Sequence, residues 1–366
     1  MIVTFSIGAP LAAIGAAAAV TRFHLRGEDL SQYDAEKYQP DFHPDQNSDG
    51  AKAVRDYLRE NFIKPAQAEG SAAEKLAAKR RRFDSVGLTR DFDCDFQDAI
   101  AETDGVTVSG EWTLPKDCSL SRRILYIHGG ANTVGSAVSH RPLTTNLANR
   151  TGCAVFAPNY RLMPENKRID GVTDCRAAYE WILKNGPDGD RDAQSIAVGG
   201  DSAGGNLTLS LINWIRDENK RAPDAVFAIS PATDTTCTSP SLKGNFETDL
   251  MLKPLAAPLL KIPNAVLLWA LWRTNKLSPA NPIVSPIFAD LSNLPPTLVH
   301  VSAAEMLYDD ARRYVAKRNA SGSPAKIQIW DHMAHVWHIF DRMLPEANHA
   351  LDEIAGFLKE NGATAK

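Results

Sequence analysis

An apolar run that leads into a glycine-flanked serine is the strongest constraint on how this chain folds. Residues 195–198 predict a short strand, and residues 203–214 predict a helix directly after the turn. Gly200 and Gly204 flank Ser202 in the spacing Gly-x-Ser-x-Gly, which is typical of a sharp strand-to-helix turn where larger side chains would collide. Such a turn presents a serine hydroxyl above the sheet, so the pattern predicts Ser202 as a nucleophile. The alternative is a glycine-rich turn without chemistry.

A second apolar run, residues 123–127, ends in His128-Gly129-Gly130. Two glycines after a strand allow the backbone to turn its N–H groups toward a ligand oxygen. We therefore predict an oxyanion hole formed by the amides of Gly129, Gly130 and Ala203. The alternative is an ordinary loop with His128 on the surface.

Three histidines compete for the role of general base near the C-terminal end of the sequence. Residues 325–330 alternate as a strand does, and His332, His335 and His338 follow. A histidine in the loop after a late strand is the usual base where the nucleophile occupies a strand-to-helix turn. We select His335, with His338 and His332 as alternatives.

These segments together resemble the hormone-sensitive-lipase-like (bacterial family IV) esterases of the α/β-hydrolase fold. Matching elements occur in the family's order over roughly residues 105–360, namely 128–130, 160–165, 200–205, 230–231, 285–286, 294–296, 307–312 and 333–337. The combination of Gly-Asp-Ser-Ala-Gly-Gly with Tyr-Arg-Leu-x-Pro-Glu is highly specific. One position departs from the family, which usually has a third glycine where this chain has Ala131. The Ala131 N–H remains available if its φ is negative.

The resemblance also indicates the acid of a catalytic triad. The family places this acid just after the strand that precedes the histidine strand, and here Glu305 follows the strand at 296–302. Glu305 would accept a hydrogen bond from His335 and stabilise its imidazolium form. Asp309 and Asp310 are the alternatives, although their place in the first turn of a helix favours an interaction with the helix dipole.

The resemblance implies a serine carboxylesterase that cleaves short- to medium-chain esters through an acyl-enzyme. Small-molecule esters are the expected partners, and no cofactor or metal is expected. An amidase, lactonase or acyltransferase would use the same nucleophile chemistry. A non-catalytic receptor of this fold is a further alternative, which the presence of all three triad candidates disfavours. The five scattered cysteines lack Cys-x-x-Cys pairs, and the histidines lack metal-ligand spacing.

The whole chain of 366 residues, 44% of them hydrophobic, is long enough for one large α/β domain with a helical cap. We expect a mostly parallel twisted sheet with helices on both faces. Residues 106–114 are expected to begin a leading antiparallel hairpin. The predicted strands are 123–127, 154–157, 195–198, 225–229, 297–301 and 327–330, and the predicted helices are 143–150, 171–183, 203–214, 309–319 and 345–359.

The predicted domain organisation divides the chain into a body and a two-part cap. Residues 1–90 form an N-terminal segment with part of the cap, residues 91–235 and 281–366 form the catalytic domain, and residues 236–280 are a cap insertion. In this insertion, Trp269 and Trp272 either line an acyl pocket or pack the cap onto the body.

Charge excludes some classes of partner and leaves others open. The net charge is −4, and the one basic cluster, residues 79–82, is expected to be a solvated helix face, so no nucleic-acid partner is expected. Residues 2–20 carry no charge, which fits a cap helix, a membrane-associating segment or a weak signal peptide. We expect a cytoplasmic protein, with membrane association or export as alternatives. The resemblance adds a homodimer as one form of assembly, which no residue of the sequence demonstrates.

Overall fold

A computed structural model describes residues 16–35, 38–63 and 70–365. Within these ranges, eight strands form one sheet in the order β1-β2-β4-β3-β5-β6-β7-β8. The strands are β1 (Asp95–Thr103), β2 (Val106–Leu114), β3 (Ser119–Ile127), β4 (Cys153–Pro158), β5 (Ser195–Asp201), β6 (Ala225–Ile229), β7 (Thr297–Ser302) and β8 (Lys326–Trp330). Strand β2 pairs antiparallel with β1 and β4, and every other pairing of the sheet is parallel. The predicted mostly parallel sheet is confirmed.

The expected start of the leading hairpin is wrong. Residues 106–114 form its second strand, and β1 precedes them at Asp95–Thr103. Strand β1 lies at the edge of the sheet and buries only Ala101 fully, so its sequence lacks the apolar alternation that marks the other strands.

Helices cover both faces of the sheet because the strands are apolar on both sides. In β3, Leu125 and Ile127 pack toward one helical layer, and Ile124 and Tyr126 pack toward the other. The helices of the body are α3 (Arg141–Thr151), α4 (Arg168–Lys184), α5 (Ala203–Asp217), α8 (Tyr308–Ala320) and α9 (Pro345–Glu360). Helices α4, α5 and α8 lie on the first face, and α3 and α9 lie on the second.

The cap combines chain segments from before β1 and from between β6 and β7. Its helical elements are a π-helical turn (Thr21–Leu25), a 3₁₀ turn (Leu30–Asp34), α1 (Asp49–Leu58), a second π-helical turn (Arg59–Ile63), α2 (Ala72–Leu88), α6 (Lys253–Leu259) and α7 (Asn264–Asn275). Trp269 stacks edge-on with Trp272 and donates from Nε1 to Thr21 Oγ1 at 2.9 Å. These two tryptophans therefore join the two parts of the cap.

Helix α2 is bonded to the body through Arg80, one residue of the basic cluster at 79–82. The predicted solvated helix face is therefore wrong for Arg80. Its guanidinium donates to both carboxylate oxygens of Glu165 at 2.8 and 2.9 Å. It also donates to the carbonyl oxygens of Thr133 at 2.8 Å and Met163 at 3.0 Å. Arg80 thus contacts the loop that follows His128.

The prediction for residues 2–20 falls mostly outside the described residues, because the structure describes only residues 16–20 of this segment. Residues 16–20 are helical and lead into the turn at Thr21–Leu25. In the described part of the chain, no single helix has the length and hydropathy of a membrane span. Helices α6 and α7 meet that criterion as a pair bent by 110°.

Candidate active site

Ser202 occupies a strained turn between β5 and α5. Its φ is +52°, in the left-handed region that residues with a side chain rarely adopt. Its amide donates to the carbonyl oxygen of Ile229 at 2.8 Å, which holds the turn against the end of β6. A Cβ at Gly204 would lie 2.0 Å from the carbonyl oxygen of Ile127, and one at Gly200 would lie 2.3 Å from the same oxygen. The turn therefore requires both glycines.

The structure places three predicted residues in one hydrogen-bonded chain. The Ser202 hydroxyl lies 2.9 Å from Nε2 of His335, and Nδ1 of His335 lies 2.7 Å from Oε2 of Glu305. Because an ionised carboxylate only accepts, Nδ1 donates to Glu305, and the free lone pair of Nε2 then faces the serine hydroxyl. His335 is 2% exposed and Glu305 is 0% exposed, so this chain is shielded from solvent except at the serine.

The second oxygen of Glu305 is held by groups that sequence analysis did not single out. Oε1 accepts from the Ser302 amide at 2.7 Å and from the Ser230 hydroxyl at 3.0 Å. The Ser230 hydroxyl in turn accepts from the amide of Val336 at 3.3 Å. Ser230 thus connects the acid to the histidine loop. Its position in the Ser230-Pro231 element was the available signal, but the element did not reveal what the hydroxyl contacts.

The environment of His335 favours its charged form. Burial lowers the pKa of His335, but the hydrogen bond and charge of Glu305, together with the charges of Asp249 and Asp201, outweigh burial and raise the pKa above 6.5. The carboxylate of Glu305 therefore favours the imidazolium form of His335.

The alternative histidines lie away from the serine. His332 is exposed, and it is not part of the chain that links Ser202 to Glu305. His338 is fully buried, with Nε2 3.0 Å from Nδ1 of His300. Burial lowers the pKa of His338, and the neighbouring His300 lowers it further. His338 is therefore a neutral interior residue.

The alternative acids, Asp309 and Asp310, lie in the first turn of α8 and accept hydrogen bonds from backbone amides of the segment after β6. Asp309 accepts from the amide of Ser241 at 2.7 Å. Asp310 accepts from the amides of Thr233 at 2.7 Å and Asp234 at 2.9 Å. These bonds tie the segment after β6 to α8 and use the carboxylates structurally. Among the described residues, no group of three or more His, Cys, Asp or Glu side chains is arranged to hold a metal ion.

The Gly129 amide does not point into the predicted oxyanion hole. It donates to Oδ1 of Asp201 at 3.0 Å, and the same oxygen accepts from the Tyr126 hydroxyl at 2.7 Å. Burial raises the pKa of Asp201, but His140 and the Tyr126 hydroxyl outweigh burial and lower it below 3.8. Asp201 is therefore an anion that fixes the His128-Gly129 segment. Sequence analysis missed this role although Asp201 lies inside the serine motif.

The amides of the next two residues, Gly130 and Ala131, are not bound by Asp201. Gly130 has φ +109° and Ala131 has φ +52°, so the chain turns sharply after Gly129. Neither amide has a hydrogen-bond acceptor within the part of the chain that the structure describes. Ala203 begins α5, where the first N–H groups lack intrahelical acceptors. The condition of a negative φ at Ala131 is not met, because this alanine occupies the left-handed region, yet its amide still has no acceptor among the described residues.

A small apolar cavity of about 50 Å³ lies between the cap and the histidine loop. Its apolar lining comes from α1, the cap insertion, the loop before His335 and the residue before α9: Ala51, Val54, Leu58, Leu250, Met333, Ala334 and Leu344. Arg55, Thr248 and His332 complete the lining.

Comparison with known proteins agrees with this geometry. A family model described as the α/β hydrolase fold matches residues 124–339, which contain Ser202, Glu305 and His335. An acetyl-hydrolase of Streptomyces hygroscopicus is 34% identical over 260 residues, covering 70% of this chain and 82% of the relative. An esterase of Acinetobacter venetianus is 33% identical over 250 residues, covering 68% and 78%.

Solved structures give the same result over a longer stretch. An esterase of the bacterial hormone-sensitive lipase family superposes with a TM-score of 0.73 at 31% identity, covering 86% of this chain and 99% of that one. The chain belongs to the hormone-sensitive-lipase-like esterase family. An esterase/lipase from an uncultured bacterium superposes with a TM-score of 0.72 at 32% identity, covering 87% of this esterase and all of that chain. The family resemblance predicted from the sequence is confirmed, and the protein is a carboxylic ester hydrolase.

We expect Ala131→Gly to stabilise this esterase. An alanine in the left-handed region costs about 1–2 kcal/mol, and glycine removes this strain while losing part of the gain through its freer unfolded chain. The free energy of unfolding should therefore rise by about 0.5–1 kcal/mol, measured by urea titration. Gly130→Ala is the paired variant, since its Cβ would lie 2.1 Å from the Val134 carbonyl oxygen and should destabilise the protein. A lower stability of Ala131→Gly would contradict the strained conformation.

Proposed function

We propose that this esterase hydrolyses short- to medium-chain carboxylic esters through a covalent acyl intermediate on Ser202. The observation that carries the proposal is the buried chain from the Ser202 hydroxyl through His335 to Glu305, with distances of 2.9 and 2.7 Å. This is the arrangement in which a histidine removes the proton of a nucleophile while a carboxylate fixes its tautomer.

In the first half of the reaction, Nε2 of His335 takes the Ser202 proton as the hydroxyl oxygen attacks the ester carbonyl carbon. The carbonyl oxygen becomes an oxyanion, and His335 then donates its proton to the departing alkoxide. In the second half, His335 removes a proton from water, and the hydroxide attacks the acyl carbon. His335 then returns the proton to the Ser202 oxygen as the carboxylic acid leaves.

The oxyanion is proposed to bind the amides of Gly130, Ala131 and Ala203. Gly129 takes no part because its amide donates to Asp201. Asp201 instead positions the loop that begins at His128. Its backbone belongs to the serine turn, and its carboxylate binds the amide of Gly129. Fixed N–H donors are effective because they need no reorganisation as charge develops, and losing one costs about 3 kcal/mol of transition-state stabilisation in other hydrolases.

The nucleophile is tested by reaction with a fluorophosphonate and mass spectrometry of the labelled peptide. We expect one adduct, on Ser202, and we expect Ser202→Ala to retain its fold while hydrolysis of p-nitrophenyl butyrate falls by about 10⁴-fold or more. Circular dichroism and thermal unfolding provide the folding control. Retention of several per cent of the turnover by Ser202→Ala would exclude this mechanism.

The acid is tested by Glu305→Gln, with Asp309→Asn as the matched buried-carboxylate control. We expect kcat/KM to fall by about 10³-fold or more for Glu305→Gln and by less than about tenfold for Asp309→Asn. The acidic limb of the pH profile of kcat/KM reports the pKa of the free-enzyme base. In the native protein its midpoint should lie above pH 6.5, because Glu305 raises the pKa of His335.

Glu305→Gln should also move the acidic limb of the kcat/KM profile toward lower pH. Removing the charge of Glu305 leaves burial, which lowers the pKa of His335, as the largest influence. Residual activity of Glu305→Gln should therefore persist to more acidic pH, whereas Asp309→Asn should keep the native midpoint. If Asp309→Asn had the larger effect, the acid would have to be reassigned.

The cavity beside the histidine loop is proposed to receive the acyl chain. Val54 lines it, so Val54→Phe should shorten the space available to the substrate. We expect kcat/KM for p-nitrophenyl octanoate to fall by about tenfold or more, with little change for the acetate, which serves as the internal control. In the native enzyme, palmitate should be hydrolysed more slowly than butyrate. Equal losses for acetate and octanoate would place the acyl chain elsewhere.

A further inference from the structure

The cap exposes a concentration of large apolar side chains. Among the described residues, eight such side chains are between 36% and 80% exposed. Seven of the eight belong to the cap, and the six that lie outside α2 are called here the cap face: Phe23, Ile63, Leu255, Leu259, Ile262 and Val266. Single exposed apolar residues are normal on a soluble protein, whereas a cluster of them marks a surface that contacts something else.

The elements that carry the cap face contact one another. The π-helical turn Thr21–Leu25 packs on α7, where His24 stacks edge-on with Trp272. The turn Arg59–Ile63 packs on α6, and α6 leads directly into α7 through residues 260–263. The elements that bear the six side chains are therefore contiguous.

Charge distinguishes this region from the rest of the molecule. The chain is acidic overall, with a net charge of −4, yet residues 1–27 and 250–289 contain no Asp or Glu. The basic residues of these two segments are Arg22, Arg26, Lys253, Lys261, Arg273 and Lys276. Lys253 pairs with Glu247, and in the turn that bears Ile63 the guanidinium of Arg59 pairs with Asp56, so this turn adds the negative charge of Glu60. Basic side chains still outnumber the carboxylates that border the apolar surface.

An uncharged segment joins the chain at the same place. Residues 1–15 contain no Asp, Glu, Lys or Arg, and they connect to the helical residues 16–20. Those residues lead into Thr21–Leu25, which packs on α7. A further apolar stretch of sequence therefore enters beside the cap face.

We propose that the cap face docks on the surface of an anionic lipid bilayer. Apolar side chains that enter the headgroup region, bordered by more lysine and arginine than carboxylate side chains, are the features that bind such surfaces. A second copy of this chain explains the apolar side chains but not the excess of positive charge, because two copies would bring like charges together.

The docking surface is connected to the reactive groups. The insertion that carries α6 and α7 follows the carboxyl end of β6, on the side of the sheet where Ser202 lies. Asp249, just before α6, accepts from the amide of Met306 at 2.9 Å, and Asn245 donates to the carbonyl oxygen of Glu305 at 2.8 Å. A docked cap would hold this side of the enzyme toward the lipid, which is a source of apolar esters.

The test is flotation of the full chain with vesicles of phosphatidylcholine alone or with about 30 mol% phosphatidylglycerol. We expect binding to the anionic vesicles at least about tenfold stronger than to the neutral ones, weakening as salt rises from about 50 to about 500 mM. Leu255→Glu/Val266→Glu should reduce binding by about tenfold or more. The control Leu88→Glu/Ile100→Glu changes the two exposed apolar residues outside the cap face and should not affect binding.

Two readouts separate docking from other roles. Turnover of water-soluble p-nitrophenyl acetate and thermal unfolding should be unchanged in both double variants, so lost binding cannot reflect misfolding or failure of the ester chemistry. Vesicle binding that is absent in the native chain, or that is unaffected by Leu255→Glu/Val266→Glu, would overturn the proposal. A dimer in light scattering that Leu255→Glu/Val266→Glu dissociates, without vesicle binding, would assign the face to a second copy.

The remaining occupant to exclude is the chain's own residues 1–15. Deleting them should weaken vesicle binding and leave the remainder sensitive to Leu255→Glu/Val266→Glu. If the deletion abolished vesicle binding while Leu255→Glu/Val266→Glu left it unchanged in the full chain, residues 1–15 and not the cap face would contact the lipid, and the proposal would be wrong.

Discussion

The reactive groups of this esterase depend on how closely the start of α5 approaches β3. The Ile127 carbonyl oxygen occupies the space where a Cβ at Gly200 or Gly204 would lie, at 2.3 and 2.0 Å. This contact holds the nucleophile turn close to the end of β3, which leads into His128-Gly129. It also brings the Asp201 carboxylate within 3.0 Å of the Gly129 amide. The turn that exposes the nucleophile and the loop that begins at His128 therefore contact each other directly.

The opposite side of the site is built from the ends of three neighbouring strands. Ser230 follows β6, Glu305 follows β7 and His335 follows β8, and hydrogen bonds of 2.7–3.3 Å join them with the backbone. All three residues are buried, so the effective dielectric constant is low and an unpaired carboxylate would be costly. Hydrogen bonds to both oxygens of Glu305 offset part of that cost, although burial still raises the pKa of Glu305, and they fix the direction of Oε2 toward His335. The raised pKa of His335 is a direct consequence.

The cap is held by polar bonds to the body and leaves apolar surface on both of its sides. Arg80 joins α2 to the loop after His128, and Thr21 joins the N-terminal segment to Trp269 in the insertion. On its inner side, the cap helps to enclose the cavity beside His335. On its outer side, it carries the cap face. A surface of this kind links the proposed ester chemistry to the place where apolar substrates are found.

Local patterns in the sequence determined most strands of the sheet and the helices between them, because both depend on short-range periodicity. Glycine spacing determined the serine turn, and the position after a late strand determined the choice of His335. The edge strand β1 was not predicted, because it buries little apolar surface and therefore lacks a hydrophobic pattern. Tertiary structure alone decided that the Gly129 amide belongs to Asp201, that Ala131 lies in the left-handed region, that Ser230 holds Glu305 and that Arg80 is a clamp. These contacts join residues far apart in the chain, and a hydrogen bond between distant segments leaves no periodicity for the sequence to show.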